Sequence, residues 1–129
     1  MNIMQKSQNR AMRAILKCNR YTPIRQMLDA LSFMTIKDRM LYNVCLFVHK
    51  MKCGMMPQYL LSEVKFIKDV HEHNIRQKDN IKINFCKTSA GKRSMTYNGF
   101  YIYNKLSKEV RELQDINMFK RRIKVEVKT

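Results

Sequence analysis

Ile36, Met40, Leu41, Val44, Phe47, Val48 and Met51 recur at steps of three and four until Gly54 closes the run. That is the period of one helix face, not of a strand. Thr35 and Asp38 resemble a capping box at its start, with Asp in place of the usual Glu, and Gly54 is a stop signal. An apolar face carried through about 17 residues has to be covered by other elements. The sequence therefore predicts a mainly α fold, a small multi-helix domain with this helix at its core.

The rest of the chain supplies partners for it. Met4, Ala11, Ala14, Ile15 and Cys18 give one apolar face to a helix from Ile3 to about Asn19. Thr22 reads as an N-cap with Pro23 at the first helical position, and Ile24, Met27, Leu28 and Leu31 form a short helix ending near Ser32. Another short helix follows Met56 and Pro57 through Tyr59, Leu60, Leu61 and Val64. From Phe100 the helical spacing returns through Tyr103, Leu106, Val110 and Leu113, and Asp115 can cap a last helix with Ile116, Phe119, Ile123 and Val127 inward.

Between His71 and Gly99 the pattern changes. Ile81, Ile83 and Phe85 alternate with Lys82, Asn84 and Cys86, Ser89-Ala90-Gly91 reads as a turn, and Met95 and Tyr97 alternate again. Such alternation predicts a short β-hairpin or extended arm around residues 80–98. The expected organisation is a basic helix plus helical core over 1–70, with the arm and C-terminal helices over 71–129 packed on the same unit, and a soft boundary near His71.

Twenty-six Lys and Arg against 10 Asp and Glu give a net charge of +16, so the partner must be anionic. Lys6, Arg10, Arg13, Lys17 and Arg20 follow steps of four and three, and on a continuous helix they share a stripe about 80° wide. No acid precedes Asp29. A stripe of one sign is an arrangement for phosphates. Lys92 and Arg93 lie at the expected hairpin tip, near Tyr97, Phe100, Tyr101 and Tyr103, and Lys120, Arg121 and Arg122 lie on the last helix. Rings interleaved with cations suit single strands, RNA or single-stranded DNA, whose bases stack while their phosphates are held.

A membrane partner is disfavoured. No run approaches the roughly 18 apolar residues of a spanning helix, and the first helix offers mainly Ala, Ile, Met and Cys to a bilayer. The first ten residues carry Gln, Lys, Asn and Arg instead of a signal peptide's apolar core, so a cytoplasmic or nuclear location is expected.

Catalytic residues, metal ligands and cofactors are expected to be absent. Asp29, Asp38, Asp69, Asp79 and Asp115 are isolated in sequence, whereas two-metal chemistry needs carboxylates held together. Gly91-Lys92 precedes Arg93, which breaks a phosphate-loop motif. Cys18, Cys45, Cys53 and Cys86 have no paired spacing and read as free thiols, and with His71 and His73 they fit no common zinc pattern.

Gln5-Lys6-Ser7-Gln8-Asn9-Arg10-Ala11-Met12-Arg13-Ala14-Ile15-Leu16 resembles the Gln-Asn-(Lys/Arg)-Ala-x-Arg helix that follows the polymerase core in jockey-like LINE (non-LTR) retrotransposon reverse transcriptases. The order of later motifs is similar too: Thr22-Pro23-Ile24, Ile36-Lys37-Asp38-Arg39, Met56-Pro57, His73-Asn74-x-Arg76, Tyr97-Asn98-Gly99, Tyr103-Asn104-Lys105-Leu106 and Phe119-Lys120. The family often has Trp where Tyr103 stands and Pro where Ser107 stands. The finger and palm segments with the catalytic aspartates have no counterpart in these 129 residues. The resemblance thus implies a C-terminal fragment that is not itself a polymerase, holding template RNA or target DNA against a reverse-transcriptase core supplied in trans. A helical module docking on a polymerase or another protein, and a translated relic without function, are the competing expectations.

Overall fold

The computed structural model describes residues 3–128. The chain is mainly helical and divides into two compact units, one ending at Met40 and the other running Leu41–Val127. The soft boundary expected near His71 lies inside the second unit.

The first unit is built on α1 (Ile3–Leu16), α2 (Ile24–Leu31) and the start of α3 (Ile36–Lys52). Met12, Met27 and Met34 are its buried apolar side chains, and Asn9 is buried with them. The apolar face expected for α1 is not the buried one, since Met4 and Ile15 are each 58% exposed and Ala11 and Ala14 face solvent as well. Gln5, Gln8, Asn9, Met12 and Leu16 turn inward instead. Hydrogen bonding explains the choice. Gln5 Oε1 accepts from the Ile36 N–H at 2.9 Å, and Gln8 Nε2 donates to the Met34 carbonyl at 2.8 Å. Gln5 Nε2 also donates to Gln8 Oε1 at 2.7 Å and Asn9 Oδ1 at 3.0 Å. These amides satisfy the Ile36 N–H and the Met34 carbonyl at the entry to α3, which an apolar face could not.

Three helices end alike. Lys17 (φ 49°), Ser32 (φ 53°) and Gly54 (φ 75°) adopt left-handed backbone after α1, α2 and α3. The following amide then reaches back: Cys18 to the Arg13 carbonyl at 3.3 Å, Phe33 to Leu28 at 2.9 Å and Met55 to Lys50 at 3.0 Å. This is the Schellman arrangement, which glycine adopts most easily. Gly54 signals its turn in sequence, while Lys17 and Ser32 do not, so α1 stops at Leu16, short of the expected Asn19. Pro23, rather than Thr22, stands at the N-cap of α2.

The second unit continues along α3 and adds α4 (Gln58–Leu61), α5 (Ile67–Val70), α6 (Ser89–Lys92), a π-helical turn at Met95–Gly99, α7 (Phe100–Asn104), α8 (Lys108–Arg111) and α9 (Ile116–Lys128). The limits of α3 match the sequence reading, and Thr35 Oγ1 caps it by accepting from the Asp38 N–H at 3.1 Å. Its inward face is turned, however. Tyr42, Cys45, Val48, His49 and Met51 are buried, whereas Met40 is exposed and Leu41, Val44 and Phe47 are only partly covered.

The expected hairpin is absent among the described residues. One antiparallel bridge, Phe66 with Ile81, replaces it. Residues 82–87 run on without secondary structure, and the anticipated return strand is helical. Ile81 is buried, but its backbone partner is a side chain: Asn104 Oδ1 accepts from the Ile81 N–H and Asn104 Nδ2 donates to the Ile81 carbonyl, both at 2.9 Å. An asparagine that mimics a strand edge removes the need for a second strand. Gly99 is buried at a tight spot, where a Cβ would lie 3.4 Å from Val48 Cγ2 and would push aside the flexible Met95 side chain, whose Sδ stands 2.5 Å away. Phe100, Tyr103, Leu106, Val110, Phe119 and Ile123 complete this core.

Candidate nucleic-acid interface

At 100° per residue the sides of α1 sort into three arcs. Gln5, Gln8, Asn9, Met12 and Leu16 form the inward arc. Lys6, Arg10 and Arg13 form the next, and Ile3, Met4, Ala11, Ala14 and Ile15 the third, which is exposed. Lys6 and Arg10 stand one turn apart in solvent. Arg13 is half-buried, and its Nε is enclosed without a hydrogen-bond partner, so it is less available than the sequence implied.

Lys17 and Arg20 fall beyond the helix. The left-handed turn at Lys17 redirects the chain, so the stripe of five becomes a row of three with two exposed cations in the loop after it. The Arg20 guanidinium lies 5.3 Å from the centre of the Tyr21 ring, a side chain that is itself exposed. Among the described residues none of these five cations is ion-paired. Among the described residues, the salt bridges that form join Lys108 to Asp79 at 3.3 Å and to Glu112 at 3.7 Å.

In the second unit the structure separates what the sequence grouped. Lys92 ends α6 and Arg93 is its C-cap, both exposed; Thr88 Oγ1 caps this turn by accepting from the Gly91 N–H at 3.1 Å. Lys120, Arg121 and Arg122 are consecutive on α9, hence about 100° apart around its axis, and cannot all meet one strand. Lys120 is half-buried and the two arginines are exposed. Of the aromatic residues near Lys92, Phe100 and Tyr103 belong to the core, whereas Tyr101 is 48% exposed.

Sequence reasoning missed the surroundings of Tyr101. Lys105 Nζ sits 4.4 Å from the centre of its ring. Both residues line an open groove of about 610 Å³ with Lys82, Ile75, Gln77 and Asn80. Phe85, one of the alternating apolar residues of the expected arm, is 85% exposed on the irregular segment that leaves this groove. An exposed ring beside lysines is what a stacked base and its phosphate require. The i, i+4 pair Tyr101 and Lys105 was readable in the sequence as a ring and a cation on one helix face.

Cys45 and His49 are built into the core, while Cys18, Cys53 and Cys86 are partly covered. Burial pushes the Cys45 thiol up to about 11 and raises that of Cys53, which leaves both protonated at neutral pH. Among the described residues no three His, Cys, Asp or Glu side chains gather as a metal site would need, and no helix is long and apolar enough to cross a membrane. No family model matches this chain, and no curated protein or solved structure does.

Proposed function

We propose that the chain is a nucleic-acid-binding module that holds RNA or single-stranded DNA by its phosphates, in the manner of the post-polymerase segment of the LINE reverse transcriptases it resembles. One observation carries this reading. Lys6, Arg10, Lys17 and Arg20 stand exposed and unpaired on a segment whose first carboxylate is Asp29. An ordinary solvated helix mixes signs for i, i+4 support, whereas this one leaves its cations to an external anion. The Tyr101–Lys105 groove supports the preference for single strands. From the resemblance come a polymerase core acting in trans and a cytoplasmic or nuclear setting.

The test is the salt dependence of affinity for a labelled oligouridine. If Lys6, Arg10 and Lys17 each hold one phosphate, replacing all three by Gln reduces the slope of log affinity against log salt by about 2. An unchanged slope in that variant rejects the reading.

The third arc of α1 favours a second reading, docking on a protein. Ile3 is 80% exposed, and Met4 and Ile15 are each 58% exposed. On that reading Ile15→Glu abolishes binding to a separately purified polymerase core while the triple Gln variant retains it.

A further inference from the structure

A second cationic feature lies away from every residue discussed above as a phosphate contact. Lys52, Lys68, Lys108 and Arg111 wall a small cavity of about 150 Å³ in the second unit, together with Asp79 and Glu112. A single water needs about 10–15 Å³ on this scale, so an ion with several oxygens fits. Both carboxylates are occupied by Lys108, at 3.3 and 3.7 Å. Among the described residues Lys52, Lys68 and Arg111 form no salt bridge, although the charge of Glu112 reaches Lys52 and that of Lys68 reaches Asp79.

Arg111 holds the decisive detail. Its Nη1 donates to Asn80 Oδ1 at 2.7 Å, and its carbonyl accepts from Lys52 Nζ at 2.6 Å, so the residue is fixed in place. Its Nε, by contrast, is buried without a hydrogen-bond partner. A buried donor of a charged group is rarely left unsatisfied in a native protein, and a missing ion is one standard reason. Nε is closed to solvent, so the cavity is met by the guanidinium as a charged group. Lys52 adds its ammonium from α3, where burial and the charge of Arg111 lower its pKa. An anion in the cavity would relieve that crowding.

We propose that this cavity is a phosphate site, with Arg111, Lys52 and Lys68 as its cations. It stands on its own geometry and does not depend on the α1 cations. Inorganic phosphate and a phosphate group of a bound strand share the chemistry it recognises.

The experiment follows the Arg111 Nε–Hε resonance of the ¹⁵N-labelled full chain during titration with inorganic phosphate, against sodium chloride at matched ionic strength. A saturable shift with phosphate alone is expected, and Lys68→Gln, an exposed position, should weaken it about tenfold. The Lys6, Arg10 and Lys17 triple Gln variant should leave it unchanged, so loss of oligonucleotide binding with the phosphate shift intact removes the first reading and keeps this one. A 5′-phosphorylated oligouridine that moves the resonance at lower concentration than its unphosphorylated form identifies a strand terminus as the source, and equal potency of phosphate identifies the free ion. A shift that tracks ionic strength, or a phosphate affinity unaltered by Lys68→Gln, overturns the site.

Discussion

Burial, with help from the Lys52 ammonium, lowers the pKa of His49 to about 4 from its ordinary 6.5. Its imidazole is fully enclosed, stacked on Phe119 with centroids 3.7 Å apart, and its Nδ1 lies 2.9 Å from Tyr103 Oη. The folded state therefore holds the ring neutral while the unfolded chain accepts a proton first. This contribution to stability is complete above pH 6.5, and about 3 kcal/mol of it is lost as pH falls through the window down to 4. The urea midpoint should drop across that window, and His49→Gln, which keeps a polar partner for Tyr103, should flatten the drop. An equal slope in the variant assigns it to carboxylates instead. The sequence places His49 within the predicted core helix but does not say which of its sides is inward. His71 and His73 lie between Cys53 and Cys86 in a polar stretch, and both are exposed. What buries His49 is Tyr103, 54 positions away, and Phe119 beyond it, and pairings at that distance leave no local trace.

Elements were legible where a local rule decided them. The limits of α3 followed from a cap, a period and a glycine, all within 20 residues, while its inward face depended on partners from α7 and α9 and came out rotated. The arm failed for a related reason: alternation at Ile81, Ile83 and Phe85 described a real extended segment, but Asn104 took the place of its second strand. Several residues that carry the family resemblance have such structural tasks. Gln8 and Asn9 anchor α1, Gly99 permits close approach, and Asn104 completes a strand edge. The resemblance thus speaks first to how the helices are joined. Gln5 gives the sharpest test at this scale, because its one amide caps Ile36 and ties Gln8 and Asn9. Gln5→Ala leaves the Ile36 N–H without that acceptor and should destabilise the fold by about 1–3 kcal/mol in urea unfolding. Ser7→Ala, on the exposed side of the same helix, should change little; equal losses in both would reduce Gln5 to its helix propensity.

At the scale of the molecule, +16 on 129 residues is a load that the fold itself feels. Like charges repel in the compact state more than in the expanded one, so the field that draws an anionic partner also weakens the unbound fold. Salt and a bound strand relieve this in different ways. Salt screens every pair, with a Debye length of about 30 Å at 0.01 M and about 10 Å at 0.1 M, so the melting midpoint of the free protein should rise over that range. A strand stabilises by mass action, about 2.7 kcal/mol at a hundredfold excess over its Kd, but salt raises that Kd. Melting curves with and without oligouridine should therefore stand far apart at 0.01 M and converge by about 0.5 M, the free protein gaining while the complex loses. Persistence of the gap at high salt would place the contact on apolar or stacking surface, Tyr101, Phe85 or the outer arc of α1, instead of on the unpaired cations. A midpoint of the free protein that falls with salt would show that its charges are locally balanced, which their lack of ion pairs on α1 argues against.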